Sequence, residues 1–404
     1  MNICLHTYYE VSDPYIGGTQ TLLIKLAKEL IVLGHEVFIV CSSLKSHFVI
    51  EGVDIYGVIP KQYHALLRSK YDGIPSSKFL KDAFFNGHTV KEALTNLAAY
   101  SYEQYSQFSA DIYHVNSYIA AFGQSHGSSI PIVAYQHENE NEFDGFWGAG
   151  SFNEFVDWLN QQVGRSIKGP RLFTASQHYA SRFSLLFNRP IQSVHLGVHL
   201  NDMMCSKAVC TTKETAFGRD DSSIVILIPS RFNTKQKGQD LAIEACDILM
   251  KRGYNLEVVF TGIKNSLMPE LDVFRKKYKE TSIASHMHFI SAKDMHSLYE
   301  SAHIVLSPER YCSYGLSISE SLALGIMTVL SDIPTYLEIA SGVDHAFFFK
   351  SDDLNDLIEK LEHVIVLGQK TGYRNKESAI SFRINNDIRR MAVVFSGIYK
   401  SLSQ

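Results

Sequence analysis

The segment Ser307 to Ser331 combines residue types and spacings that can hold an anionic ligand. An apolar run ending at Ser307 reads as a buried strand. A polar loop containing Tyr314 and Gly315 follows, then a helix-patterned run from Leu316 to Leu324 that stops at Gly325. Ile326 to Leu330 reads as the next parallel strand. Strand, glycine loop, helix and strand together aim a helix N-terminus and unbonded backbone N–H groups at negative charge. Glu320 sits about one turn into that helix, within reach of a ribose or sugar hydroxyl. A second segment has matching chemistry. The apolar run Ile224 to Ile228 leads into Arg231 and Lys237, followed by Gly238 and a further helix. Two fixed cations beside a helix N-terminus there could hold an anionic group.

The elements that must position these residues form two βαβ series. The first begins with the strand Asn2 to His6. Gly17-Gly18-Thr19 opens a helix whose apolar positions are Leu22, Leu23, Leu26, Ala27, Leu30 and Leu33, and Val37 to Val40 is the next strand. Further strands are expected at 111–115, 130–135, 172–174 and 193–196. Residues 201–223 are polar and aperiodic, which predicts a linker. A second series then runs through Ile224–Ile228, Leu256–Phe260, His286–Ile290, Ile304–Leu306 and Met327–Leu330, and the chain is helical after Asp352.

The stretch from Pro308 to Gly325 resembles the donor-site signature of retaining GT-B glycosyltransferases of the family 4, group 1 type, roughly P-S-x-x-E-x-F-G-x-x-x-x-E-A-x-A-x-G. Pro308, Tyr314, Gly315, Glu320, Ala323 and Gly325 stand in register with it. Arg231 and Lys237 match the cation pair of that family, and Gly17-Gly18 its N-terminal glycine loop. Leu196-Gly197-Val198-His199 stands where the family closes its first domain, with His199 in place of Asp. The resemblance implies an α/β GT-B fold, with two Rossmann-like domains facing a central cleft. Residues 1–200 would form the acceptor-side domain and 201–384 the nucleotide-sugar domain, with a last helix at 385–404 packing back on the first.

It also implies a function. A sugar moves from a UDP- or GDP-sugar to a hydroxyl acceptor, such as a glycan or a lipid-linked acceptor, with retention and without metal or other cofactor. Surface polysaccharide or glycoconjugate synthesis is the implied setting. Arg231 and Lys237 would hold the diphosphate and Glu320 the ribose. Gly17, Gly18, Gly262 and the backbone of Ser313, Tyr314, Gly315 and Leu316 would border the donor. Two rival readings are a non-catalytic nucleotide-sugar-binding subunit and a nucleotide-sugar epimerase on the same fold. Cys312 motivates the first rival, because it stands where the family has a glutamate that contacts the donor sugar. Glu309, three residues upstream, is a candidate replacement. Cys312 itself is expected as a substituted pocket residue rather than a nucleophile.

Three further groups have functional and structural readings side by side. His137 ends the strand containing Ile132, where the family has a histidine lining the cleft near the donor sugar; a solvated loop histidine is the alternative. His114 also ends a strand, either beside the acceptor or as a hydrogen-bonded packing residue. Glu138, Glu140, Glu142 and Asp144 form an acidic run in which one residue, Glu138 first, contacts acceptor hydroxyls, or all of which are solvated. Lys61, Arg68, Lys70, Lys78 and Lys81 interleave with Leu66, Leu67, Phe79, Leu80, Phe84 and Phe85. That pattern suits an anionic membrane surface, or a surface helix pair beside the acceptor.

Composition narrows the classes. A chain of 404 residues with 45% hydrophobic content can fill two cores, and a net charge of −4 argues against a general nucleic-acid binder. The six cysteines show neither a disulfide framework nor zinc spacing. No apolar run approaches the ~20 residues of a spanning helix. A cytoplasmic protein, peripheral at most at the inner membrane face, is the expectation.

Overall fold

The computed structural model describes residues 1–11, 18–70, 77–123, 129–163, 169–199, 222–262, 269–290 and 295–404. They divide into two compact units, Met1–Gly197 with Ile388–Gln404, and Val198–Asp387. Most of the expected linker, Gly17 and the cysteines Cys205 and Cys210 fall outside the described residues.

The first unit is built on eight strands: β1 (Asn2–Thr7), β2 (Glu36–Cys41), β3 (His47–Ile50), β4 (Val53–Gly57), β5 (Ile112–Val115), β6 (Ile132–Gln136), β7 (Arg171–Thr174) and β8 (Gln192–Ser193). Their order is β3-β4-β2-β1-β5-β6-β7-β8. Every pairing is parallel except β3 with β4. Central strands such as β1 and β5 are buried on both faces, which is why they read as continuous apolar runs. The β3–β4 hairpin did not read that way. Its outer strand alternates exposed and half-buried residues, and it turns at Glu51-Gly52, both with positive φ. The strand expected over 193–196 is only Gln192–Ser193.

The helix Gly18–Val32 buries Leu22, Leu23, Leu26, Ala27 and Leu30. Leu33 lies beyond its end and is 42% exposed, so it is not part of that apolar face. The last helix, Ile388–Leu402, packs on Gly18–Val32 and buries Met391, Phe395 and Tyr399. His35 bonds Ser396 at 2.7 Å across this contact. The basic, apolar stretch forms the helices His64–Lys70 and Ser77–Phe84. Leu67, Phe79, Leu80 and Phe84 are core residues, Leu66 packs against that core, and Phe85 stacks on Trp147. The apolar side chains of this stretch are therefore packed inside the unit. Among the described residues no helix is long and apolar enough to cross a membrane.

The second unit has six parallel strands: β9 (Ile224–Ile228), β10 (Leu256–Phe260), β11 (Met287–Phe289), β12 (Ile304–Ser307), β13 (Met327–Ser331) and β14 (Ala346–Phe349), in the order β11-β10-β9-β12-β13-β14. Strand β14 adds an edge absent from the sequence reading. In each sheet the chain leaves a central strand towards one side and later returns on the other, between β1 and β5 and between β9 and β12. Ligands of open α/β sheets bind outside the carboxyl ends of strands at such reversals.

Histidines held neutral by burial make the first unit acid-sensitive, His6 and His114 among them. His6 bonds Gln104 at 3.0 Å and is pushed down to about 4 by burial. His114 is pushed down to about 3, by burial first and by His137 second. Both stay neutral when folded but charge in the unfolded chain near 6.5. Their contribution is complete above that value and is lost as pH falls towards the folded pKa. Each adds a slope of up to about 1.4 kcal/mol per pH unit. The denaturant midpoint should therefore fall steadily between pH 7 and pH 5; a midpoint constant across that window contradicts this account.

Candidate active site

In the second unit, β9 ends at Ile228, Ser230 and Arg231 lie in the loop after it, and the short helix Thr234–Lys237 follows, capped by the Asn233 side chain. Arg231 is exposed, and its Nη2 donates to Gln236 Oε1 at 3.2 Å. Gln239 holds the backbone below it, donating to Arg231 O at 3.0 Å and Ser230 Oγ at 3.1 Å. Gly262 follows β10 with φ +72, and a Cβ there would lie 2.4 Å from Arg231 Cα. Only glycine lets the two loops approach so closely. Lys237 ends its helix with Nζ 2.6 Å from Glu309 Oε2, and both side chains are largely buried. Arg231, Lys237 and Gly262 thus gather at the carboxyl ends of β9 and β10.

The loop after β12 completes this crest. Glu309, Cys312, Ser313 and Tyr314 are all buried. The Cys312 carbonyl accepts from Thr335 Oγ1 at 2.7 Å. Gly315 precedes the helix Leu316–Ala323, and Leu316 is half-buried at its first turn. Glu309, bound to Lys237, is turned to the cation rather than standing in for the residue at 312. Glu320 is half-buried, with Oε2 2.8 Å from the Tyr299 hydroxyl, which also lies 2.9 Å from Ser317 O. Burial raises the Glu320 carboxyl to about 7, while the Tyr299 bond pulls it down. Tyr299 was not anticipated. It lies on the helix Met295–Ser301, fully buried, and its carbonyl accepts from Arg374 at 2.7 Å.

The first unit collects a different set at the ends of β1, β5 and β6. His137 is half-buried, bonds Asn116 Oδ1 at 3.0 Å, and is pushed down to about 3 by burial. It is a neutral hydrogen-bonding group, not a cation. Glu138 beside it acts on the buried Tyr8 hydroxyl, which also bonds Ser117. The rest of the acidic run is structural. Glu142 closes a capping box with Asn139, Glu140 pairs with Arg182 at 2.6 Å, and Asp144 accepts from Gly150, Ser151 and Phe152. Acceptor contact by His114 is corrected as well. It is 1% exposed, bonded to the Tyr399 hydroxyl and packed on Phe395, so it is the packing histidine of the two alternatives. Gly18 stands at the first position of its helix and is exposed.

Residues 211–378 match the family model described as "Glycosyl transferases group 1". The chain is similar to an uncharacterized glycosyltransferase of Methanocaldococcus jannaschii, with 22% identity over 84% of this chain and 82% of that protein. Among solved structures it is similar to the sucrose-phosphate synthase of Thermosynechococcus elongatus, with a TM-score of 0.72, 12% identity, and coverage of 99% of this chain and 98% of that one. It is also similar to Anabaena HepE, solved in complex with UDP-glucose, with a TM-score of 0.69, 14% identity, and coverage of 99% and 100%. The fold is GT-B. The matched span contains Arg231, Lys237, Gly262, Glu309, Cys312 and Glu320, that is, the whole crest of the second unit.

The Tyr299 contact has a direct spectroscopic consequence. The hydroxyl stabilises the ionised form of Glu320, so Tyr299→Phe should move its titration above the value of about 7. Carbon-13 NMR of labelled glutamate should show a wild-type midpoint near neutrality and a higher one in the variant. A wild-type midpoint in the usual range near ~4.3 would refute this environment.

Proposed function

We propose that the protein is a retaining glycosyltransferase that moves a sugar from a nucleoside-diphosphate sugar to a hydroxyl acceptor. The observation that carries this reading is the convergence of Arg231, Lys237, the 312–316 loop and Glu320 at the strand reversal of one parallel sheet, within the span matching the glycosyltransferase family. The diphosphate lies at Arg231 and Lys237, against the backbone N–H groups at the start of the helix Leu316–Ala323. Glu320 takes the ribose hydroxyls, and its position beside Tyr299 fixes the carboxylate for that contact. In the first unit, neutral His137 gives a hydrogen bond to a sugar hydroxyl, and Glu138 accepts one from the acceptor.

The reaction needs little covalent help from the protein. The sugar–phosphate bond breaks with its electron pair going to the phosphate oxygen, and the acceptor oxygen bonds to the anomeric carbon on the same face. The acceptor proton passes to the departing phosphate oxygen. Charge grows on the diphosphate during this step, so cations already fixed beside it lower the barrier. The buried thiol of Cys312 has no step to perform. HepE was solved with UDP-glucose and WaaG is described as acting in lipopolysaccharide biosynthesis. These likenesses favour a UDP-sugar donor and a cell-surface glycan acceptor here; the proposed setting is the cytoplasm or the inner face of the membrane, with a lipid-linked acceptor as the other candidate.

Arg231→Ala or Lys237→Met should lower turnover by roughly 100- to 1,000-fold, about 2.7–4 kcal/mol in barrier, when assayed by release of UDP or GDP from sugar donors. Rates within threefold of wild type for both variants would sink the assignment. Because these side chains supply the positive charge, transfer should also proceed in excess EDTA. A strict dependence on added Mn²⁺ or Mg²⁺ would show that the charge comes from elsewhere.

A further inference from the structure

Glu309 has no part in the mechanism above, yet it is the buried partner of a cation that does. Its placement is built into the backbone. Gly238, just after Lys237, has φ +64, and a Cβ there would lie 2.0 Å from Pro308 O. The next residues continue the seam. Arg310 N donates to Gln236 O at 2.9 Å, and Arg310 Nη1 to Thr234 O at 2.6 Å. The guanidinium also bonds both carboxylate oxygens of Asp240 at 3.2 Å. The helix Thr234–Lys237 is therefore tied to the segment Pro308–Arg310 on both sides of the pair. The carboxylate and the ammonium meet at 2.6 Å because neither chain can slide. Glu309 has a second polar neighbour, the buried Tyr336 hydroxyl, itself 2.9 Å from Ser307 Oγ.

This arrangement sets a competition. A diphosphate oxygen and the Glu309 carboxylate are both anionic acceptors for one ammonium group. A carboxylate held against Lys237 orients it and also cancels part of its attraction for any anion that arrives. The partial cancellation acts on the free nucleoside diphosphate, which remains after transfer and has to leave. We propose that Glu309 is a positioning residue that holds Lys237 in place and weakens the site's grip on the nucleoside diphosphate product, so that the product is released. The inference rests on the reading that Lys237 contacts the diphosphate.

Calorimetry with UDP and GDP tests it. Glu309→Gln keeps the shape and removes the negative charge, so the better-bound nucleotide should bind about tenfold tighter, ~1.4 kcal/mol. Lys237→Met should weaken binding, and adding Glu309→Gln to Lys237→Met should recover part of the loss, because the carboxylate repels the diphosphate with or without the ammonium; a purely structural role would give no such recovery. Turnover by Glu309→Gln should fall together with a lower inhibition constant for the nucleotide. Glu309→Asp keeps a charge but draws it back by one methylene. It should shift affinity in the same direction by roughly threefold, as Coulomb attraction weakens with distance, and it replaces Glu309→Gln if that variant does not fold. Weakened binding in Lys237→Met with unchanged or weaker binding in the Glu309 variants overturns the inference alone. If Lys237→Met binds both nucleotides as wild type does, the diphosphate assignment fails and the inference fails with it.

Discussion

A largely buried ammonium must be held in place and given a countercharge, and the strand ends of the second unit are organised around that constraint. Lys237 is at the end of a single-turn helix, which could not hold its own direction unaided. Its position comes from the seam with Pro308–Arg310 and from the absence of a side chain at Gly238. Burying an ammonium alone would be costly, and pairing it with Glu309 offsets that cost. Arg231 is fixed differently. Its guanidinium is exposed, and its backbone is held by Gln239 and by close approach of Gly262. One cation is oriented by a countercharge, and the other by its main chain.

Within each unit, low-polarity surroundings set the charge state of other polar groups. Burial raises Glu320 and lowers His137, so each is driven towards its neutral form. A neutral histidine can both donate and accept, which suits a sugar hydroxyl better than an imidazolium would. A carboxyl titrating near neutrality can keep its charge only with a donor, and Tyr299 provides one from a helix outside the 307–331 segment.

Much of this was legible in the sequence because both sheets are parallel. Strands buried on both faces stand out as apolar runs, and β9 and β10 fall on the residues where those runs place them. The outer strand β3 of the hairpin lies at a sheet edge, where alternate residues are exposed and the apolar signal fades, whereas β14 is a wholly apolar run of only four residues at the edge of the other sheet. The motif residues Arg231, Lys237, Gly315 and Glu320 were legible as types in register. Their partners were not, because the contacts span long intervals: 72 positions for Lys237 with Glu309, 21 for Tyr299 with Glu320, and 285 for His114 with Tyr399. His114 shows the consequence. A strand-end histidine has the address of a ligand contact, and only the return of the last helix across the first unit makes it a packing residue.

The loop between β12 and its helix follows the same logic at the level of single side chains. Cys312 is buried, and its backbone carbonyl is engaged by Thr335, so the loop is held at that point by its main chain. A thiol accepts hydrogen bonds weakly and is easily buried, whereas a carboxylate at the same depth would need its own donors. The loop has a single buried acid, at Glu309, and there the donors are present: the Lys237 ammonium and the Tyr336 hydroxyl. Moving the acid three residues towards β12 takes it out of the loop's midpoint and sets it against the cation. A carboxylate in that position shapes how the crest treats anions more directly than how it treats sugar hydroxyls.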